Sequence, residues 1–264
     1  MTSDVVPSPV PAGGGYAGRH RRGAGAGALR VPSWSSRPVV DRVLAAQIVV
    51  IAKEPVPGRV KTRLTPPFTP VQAAALAEAA LTDTLAAVAG TAVARRVVAL
   101  AGTPGRWLPP GFDVIGQRGA GLDERIAWAL SEAQATLPVP VVLIGMDTPQ
   151  VTPELLAAAA EPLVSGTVDA TFGPAEDGGF WLLGLRKVDP DLVLGVPMSR
   201  SDTGSRQLAR LERAGLRVRR LPELTDVDTA AEADRIAAAT PGSAFATCHS
   251  GLRDGAPQAA GAAR

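Results

Sequence analysis

The sequence has 264 residues, of which 46 % are hydrophobic and only 4 % aromatic, which suffices for the core of one large domain or two small ones. It carries 27 basic and 25 acidic side chains, but residues 1–42 alone hold six arginines and two acids, so the remainder is slightly acidic. Because the basic excess belongs to that first segment, the composition argues against a nucleic-acid partner.

The residue types also exclude several kinds of site. The single cysteine, Cys248, cannot form a disulfide within the chain, and the two histidines, His20 and His249, lie near the two ends. We therefore expect neither a Ser-His-Asp or Cys-His mechanism nor a zinc site in the central part of the chain. A metal there would be held by carboxylates, which are ligands that suit Mg²⁺ or Mn²⁺.

The two ends differ in composition from the middle. Residues 1–42 are rich in Gly, Pro, Ser, Ala and Arg, and we predict that they form a disordered tail. Residues 241–264 look like a second disordered tail, which leaves one domain over residues 43–240. We find neither a continuous apolar run of roughly 18 residues nor a stretch typical of a signal peptide, and so expect a cytoplasmic protein without a membrane span.

The first predicted strand covers residues 48–52 and leads into a loop of prolines, glycine and cations. The chain has only three lysines, and two of them fall in this loop. In open α/β sheets, phosphate-bearing ligands bind at the carboxyl ends of the strands. We therefore predict that the loop binds phosphate, although a plain solvated basic loop is the alternative. The predicted binding residues are Lys53, Gly58, Arg59, Lys61 and Arg63.

The loop matches neither of the common phosphate-binding motifs. It lacks the GxxxxGK[ST] order of a Walker loop and the GxGxxG order of a dinucleotide-binding fold. Side-chain cations, helped by loop amides, would therefore do most of the binding.

Helical and strand patterns alternate along the rest of the chain. Further strands are predicted over residues 95–101, 112–115, 139–145, 168–172, 180–185 and 216–221. Helical patterns cover about residues 70–89, 119–137, 152–164, 201–214 and 229–239. This alternation predicts one three-layer α/β/α domain with a mostly parallel sheet.

Acidic residues flank three of the later strands. Asp147 follows the strand at 139–145, a turn-rich loop of Glu176, Asp177, Gly178 and Gly179 precedes the strand at 180–185, and Asp226 and Asp228 follow the last strand. The carboxyl ends of parallel strands share one edge, so Asp147 and the cationic loop should face the same crevice. Asp228 would join them if its loop folds back over that edge.

These acids have ordinary structural alternatives. Asp147 could simply begin a helix, Asp228 could be an N-terminal cap, and residues 176–179 could be a hairpin turn. Their placement opposite the cations nevertheless favours a divalent metal held by Asp147 and Asp228, with a substrate bound by residues 176–179.

Five segments, in order, resemble a known bacterial family. They are AKEPVPGRVKTRL, GLDERIAWAL, VVLIGMDTPQVTPELL, GPAEDGGFWLLGL and LTDVDT. They are similar to the motifs of the rSAM/selenodomain-associated transferases, which belong to the nucleotide-diphospho-sugar transferase superfamily. The resemblance covers roughly residues 46–240.

The resemblance implies a GT-A fold, a nucleotide-binding half around residues 53–63, a metal at Asp147 and an acceptor loop at residues 176–179. Related nucleotidyltransferases carry a second metal-binding Asp in a VDT-like motif, which Asp228 matches. Two features depart from these patterns: Asp147 stands alone in GMDTP, with no DxD, and the nucleotidyltransferase GxGxRM-type loop is absent.

Three hypotheses follow for the function. The first is a glycosyltransferase that moves a sugar from a nucleoside-diphosphate sugar to a small-molecule acceptor, with Lys61, Asp147 and Asp177 as catalytic residues. The second is a nucleotidyltransferase that joins an NTP to a phosphorylated small molecule and releases pyrophosphate. The third is a non-catalytic nucleotide-binding module.

Overall fold

The computed structural model describes residues 43–254, and the predictions for the first tail and for residues 255–264 lie outside this range. The strands are β1 (Leu44–Lys53), β2 (Val93–Ala101), β3 (Asp113–Gly116), β4 (Val141–Ile144), β5 (Ala170–Pro174), β6 (Phe180–Leu185) and β7 (Val218–Arg220). The helices are α1 (Pro70–Gly90), α2 (Leu122–Thr136), α3 (Pro153–Val164), α4 (Thr203–Arg213), α5 (Ala230–Ala239) and α6 (Ala244–Asp254).

The seven strands form one sheet in the order β3-β2-β1-β4-β6-β5-β7. Every strand runs parallel to the others except β6, which is antiparallel to both of its neighbours, β4 and β5. The prediction of an α/β domain with a mostly parallel sheet is confirmed. The loops that leave β1, β4, β5 and β7 therefore open at the same edge of the sheet.

Helices cover the sheet on both faces, which explains why β1 and β4 are almost wholly apolar. On one face, α1 and α3 bury side chains such as Leu85 and Leu156 against the sheet. On the other face, α2 and α4 bury Leu130 and Leu211. Both central strands are thus fixed from two sides, which makes the edge where they end a rigid base for loops.

The longest helix, α1, begins with a capping box. Thr69 accepts a hydrogen bond from the Gln72 amide, the Gln72 side chain accepts one from the Thr69 amide, and Pro70 occupies the first turn. By length and composition alone α1 could cross a membrane, but 61 % of its most apolar window is buried within the protein. Burial against the sheet and against α6 accounts for its apolar character.

The prediction of a loose tail from residue 241 is wrong for residues 244–254, which form α6 and pack on α1 and α5. Phe245 is fully buried, in a cluster that includes Leu64 and Phe68. The carboxylate of Asp83 in α1 accepts hydrogen bonds from the amides of Ala244 and Phe245 at 2.9 and 2.8 Å. The helix and its partners are far apart in sequence, so local composition did not reveal the contact.

His249 also belongs to the folded domain through α6. Its side chain is 10 % exposed, and Nε2 lies 2.8 Å from Oδ1 of Asp234 in α5. It does not line the cavity described below.

Truncating Phe245 tests the contribution of α6. Phe245→Ala removes a fully buried ring, so we expect a loss of about 3–5 kcal/mol of stability and a melting temperature lower by roughly 6–20 °C. Ser250→Ala, at an exposed position on the same helix, is the control and should change the melting temperature little. Equal melting temperatures for Phe245→Ala and wild type would show that α6 does not stabilise the domain.

Candidate active site

The carboxyl edge of the sheet opens into a cavity of about 510 Å³. Its walls come from the loops after β1, β4 and β7, from the β5–β6 loop and from the segment before α4. The predicted site residues that line it are Lys53, Arg59, Lys61, Arg63, Asp147, Asp177, Gly179 and Asp228. Gly58, Glu176 and Gly178 do not line it.

The loop after β1 holds Lys61 in an uncommon backbone conformation. Its φ and ψ are +47° and +41°, in the left-handed region that side chains other than Asn, Asp and Gly seldom adopt. Buried Val60 and Leu64 anchor the chain on either side, and Gly58, at φ +74°, makes the preceding turn. Gly58 therefore serves the loop's shape rather than the cavity surface.

The Lys61 ammonium contacts two carboxylates in the cavity. Nζ donates hydrogen bonds to Oδ2 of Asp147 at 2.6 Å and to Oδ1 of Asp228 at 3.0 Å. Arg63 adds a third ion pair, from Nη1 to Oδ2 of Asp228 at 2.9 Å. The structure thus places the predicted cationic loop and both predicted metal-binding acids in direct contact.

Charge pairing outweighs burial in this cluster. Burial alone would lower the pKa of Lys61, but Asp147 and Asp228 together raise it above its ordinary value. Burial likewise opposes ionisation of Asp228, yet Lys61 and Arg63 lower the pKa of its carboxyl below the ordinary range. The lysine is therefore a fixed positive charge, and Asp228 stays ionised, at neutral pH.

Two loops distant in sequence are joined at this point by the backbone. The Val227 amide donates to the Asp147 carbonyl at 3.0 Å, and the Gly145 amide donates to the Trp181 carbonyl at 3.2 Å. The first bond holds the loop after β7 against the loop after β4. Asp228 thus does fold back over the edge of the sheet to reach Asp147.

Asp226 is a cavity residue to which the sequence analysis assigned no role. Its Oδ1 atom is buried and has no hydrogen-bond partner within the described structure. Burial raises the pKa of its carboxyl to about 8, and the neighbouring charges of Asp147 and Asp177 add to that shift. The sequence grouped it with Asp228 in one acidic loop, but spacing alone could not show which of the two is buried.

Glu176 supports the site from outside the cavity. Its carboxylate accepts hydrogen bonds from Arg235 in α5, at 2.9 and 3.0 Å, and from the Thr225 hydroxyl at 2.6 Å. These contacts tie the β5–β6 loop to the loop that carries Asp226 and Asp228. The structure therefore gives Glu176 a role in positioning, and its direct contact with substrate stays a prediction.

Gly178 and Asp177 have different roles in the β5–β6 loop. Gly178 has φ +87°, and a Cβ there would collide with the backbone carbonyl of Ser201, so glycine is needed for close approach to the segment before α4. Asp177 lines the cavity, and its Oδ1 accepts a hydrogen bond from the Gly179 amide at 2.7 Å. Its second oxygen makes no hydrogen bond in the described structure.

Gln117, which the sequence analysis did not select, lines the cavity at the ends of β1 and β2. Its Nε2 donates to the carbonyls of Ala52 and Ala99 at 2.8 and 2.9 Å. Because both amide protons are used, the orientation of the side chain is fixed and Oε1 remains as an acceptor. Arg125, Ser199 and Arg200 also line the cavity, and none of the three was among the predicted site residues.

The acids of the cavity fit a divalent metal, although only as a partial ligand set. No group of three or more potential ligands converges on a metal position within residues 43–254. Asp147 and Asp228, however, supply hard oxygen atoms around a single cationic position that Lys61 now fills. Mg²⁺ is often held by one or two carboxylates together with substrate phosphates and water.

Comparison with known proteins places the chain in a family. A protein from Desulfovibrio desulfuricans G20, described as a "putative nucleotide-diphospho-sugar transferase", is 30 % identical with a TM-score of 0.71. The alignment covers 79 % of this chain and 94 % of that one. Residues 74–200 match the family described as "uncharacterized protein conserved in bacteria" (DUF2064). No curated protein matches the sequence.

Two further solved structures match with lower identities and TM-scores. Rv0371c from Mycobacterium tuberculosis, solved in complex with manganese, is 22 % identical with a TM-score of 0.45, over 74 % of this chain and 98 % of its own. The 2-C-methyl-D-erythritol 4-phosphate cytidylyltransferase of Thermus thermophilus is 16 % identical with a TM-score of 0.43, over 80 % of this chain and 100 % of its own.

The chain belongs to the family of the Desulfovibrio protein, within the nucleotide-diphospho-sugar transferase superfamily. It is thus a nucleotide-using transferase by class, and the fold agrees with the one that the sequence motifs implied. The narrower assignment to the rSAM/selenodomain-associated transferases depends on the motifs alone.

The raised pKa of Asp226 predicts that stability depends on pH. The carboxyl ionises near its ordinary value of 3.8 in the unfolded chain but at about pH 8 in the folded protein. Its contribution to stability is thus lost as the pH rises from the lower value through the higher one. Asp226→Asn remains neutral, so it should melt above wild type near pH 9, and by a clearly smaller margin near pH 5.

Thermal unfolding in buffer that contains a chelator measures this difference. Glu223→Gln, an exposed acid in the same loop, is the control and should follow the wild-type pH profile. If the melting temperatures of Asp226→Asn and wild type changed with pH in parallel, the assigned burial of this carboxyl would be contradicted.

Glu176→Gln tests the positioning role of Glu176. The ion pair with Arg235 is nearly half exposed on each side, so its loss should cost no more than about 1 kcal/mol of global stability. Amide hydrogen exchange across residues 224–228 should nevertheless become faster, because the loop loses its tie to α5. Asp169→Asn, which breaks ion pairs at the other end of β5, should leave that exchange unchanged. Unaltered exchange in Glu176→Gln would refute the role.

Proposed function

We propose that the protein is a metal-dependent transferase that moves a sugar from a nucleoside-diphosphate sugar to a small acceptor. The observation that carries this proposal is the contact of Lys61 with both Asp147 and Asp228 inside one cavity. It brings a phosphate-binding type of side chain and a metal-binding pair of acids within the span of a single diphosphate, in a chain that belongs to a nucleotide-using superfamily.

Four cations of the β1 loop would bind the diphosphate. Lys53 and Arg59 line the cavity and form no ion pair with a carboxylate within residues 43–254, so their charges are available to an anion. Lys61 and Arg63 form ion pairs with the two acids. A bound metal would neutralise the charge of these acids in place of the two side chains. Phosphate oxygens would then replace the carboxylates as partners of the two side chains.

Asp147 and Asp228 would hold the metal, which when bound would neutralise negative charge on the diphosphate as it leaves. The two acids are positioned from different loops, and the bond from Val227 to the Asp147 carbonyl maintains their proximity. The loops thus hold the pair in place before any ligand binds.

Two further cavity residues would orient the acceptor and the nucleoside. Asp177 has a free carboxylate oxygen, which would accept a hydrogen bond from a hydroxyl of the acceptor. Gln117, at the opposite end near β2, offers a fixed amide oxygen that would accept a hydrogen bond from a nucleobase or ribose group. The acceptor and the nucleoside would therefore lie on either side of the metal.

The main alternative is transfer of a nucleotidyl group from an NTP to a phosphorylated small molecule. The observation that favours it is the pair of acids itself: the LTDVDT segment delivers a second aspartate to the cation position, as the VDT-like motif of nucleotidyltransferases implies. Membership of the rSAM/selenodomain-associated transferases, which the sequence motifs resemble, would instead favour the sugar-transfer hypothesis.

A panel of nucleotides distinguishes these functions. Thermal unfolding should be followed with nucleoside-diphosphate sugars and with NTPs, with and without Mn²⁺. At a ligand concentration of about one hundred times Kd, the stabilisation should be about 2.7 kcal/mol, or roughly 5–10 °C. Release of a nucleoside diphosphate would support sugar transfer, and release of pyrophosphate would support nucleotidyl transfer.

Asp147→Asn should abolish the stabilisation that requires metal while leaving the fold intact. Asp113→Asn, an exposed acid on β3, is the matched control and should retain the full metal-dependent shift. Binding that ignores metal in wild type, without any turnover, would contradict a transferase and favour a nucleotide-binding module.

A further inference from the structure

Lys61 occupies the position between the two acids where a metal would bind. Its Nζ atom lies 2.6 Å from Asp147 and 3.0 Å from Asp228, and its side chain is only 10 % exposed. The carboxylate oxygens that would contact a metal are therefore already engaged by an ammonium group. A free divalent ion can bind to both acids only if that group moves away.

Electrostatics opposes such an exchange when the ion arrives alone. The acids are already compensated, Asp147 by Lys61 and Asp228 by both Lys61 and Arg63. Displacing the ammonium would leave a positive charge beside a doubly charged ion in a partly buried cavity, where charges are weakly screened.

Phosphate removes this obstacle, since it offers the displaced ammonium a new anionic partner. Lys53 and Arg59 line the same cavity and would draw a phosphate group toward the β1 loop. The aliphatic part of the Lys61 side chain is flexible. Its backbone, in contrast, is held in the left-handed conformation between two buried residues, Val60 and Leu64. The ammonium can thus change partners without movement of the loop.

We propose that Lys61 is a built-in counter-ion that excludes free divalent ions from Asp147 and Asp228 and yields the position only to an ion that arrives together with phosphate. The site would thereby select a metal–diphosphate or metal–triphosphate complex over the metal alone. This inference rests on the proposed function for the identity of the ligand, but the exclusion of free metal is a property of the chain itself.

The test measures Mn²⁺ binding to the full-length protein without nucleotide, by electron paramagnetic resonance of the free ion. Lys61→Met removes the counter-ion, so its affinity for Mn²⁺ should be roughly tenfold or more above that of wild type. Lys61→Arg keeps the charge and should bind as weakly as wild type. Lys53→Met removes a positive charge from the same cavity but none from the two acids, and it should also remain weak.

Pyrophosphate provides a second measurement, whose wild-type arm does not depend on the folding of a variant. After correction for the Mn²⁺ that pyrophosphate binds without protein, adding it should strengthen retention of Mn²⁺ by wild type by roughly tenfold or more, and by much less in Lys61→Met, because the coupling passes through Lys61. Wild type that binds Mn²⁺ as tightly alone as with pyrophosphate would overturn the inference.

The outcomes separate this inference from the proposed function. Equal Mn²⁺ affinities for Lys61→Met and wild type would overturn the counter-ion role, even if a metal–nucleotide complex binds both. Tighter binding by Lys61→Met would support the role, even if no nucleotide in the panel binds and the transferase proposal fails.

Discussion

The ion cluster at Lys61 is the interaction on which the site depends. Asp147 and Asp228 carry like charges in a partly buried cavity, and each would be costly there without a cation. One ammonium group contacts both, and it comes from a third loop. The pairing therefore holds three segments of the chain together, and the same three segments would bind the ligand. Stability of the free site and readiness for a metal complex thus derive from the same charges.

The strand order of the sheet brings two of these segments together, but the third reaches them only by a long path along the edge of the sheet. β1 and β4 are neighbours, so the loops after them meet at once, whereas β7 lies at the far edge of the sheet. The chain after β7 returns along the carboxyl edge through a bridge between Leu224 and Ala175, and then through the bond from Val227 to the Asp147 carbonyl. Glu176 fastens this path to α5. The second acid is therefore delivered by a chain of loop contacts and not by the topology.

This difference explains how much of the structure could be predicted from the sequence. The apolar runs of β1 and β4 identify buried parallel strands, and the rule that strand ends share an edge places the cationic loop beside Asp147. The contacts of Glu176 with Arg235 and the burial of Asp226 join residues that no local pattern relates. For the same reason the sequence predicts a loose tail where α6 lies, since the apolar face of α6 is explained by its packing on α1 and α5.

The charge of the cavity supports an anionic ligand more strongly than the charge of the chain does. The charged residues that line it are Lys53, Arg59, Lys61, Arg63, Arg125, Arg200, Asp147, Asp177, Asp226 and Asp228. Burial keeps Asp226 protonated at neutral pH, since its pKa is about 8, so six cations face three carboxylates. The sequence outside residues 1–42 is slightly acidic as a whole. A positive cavity focuses its field on the opening and attracts polyanions such as nucleotides.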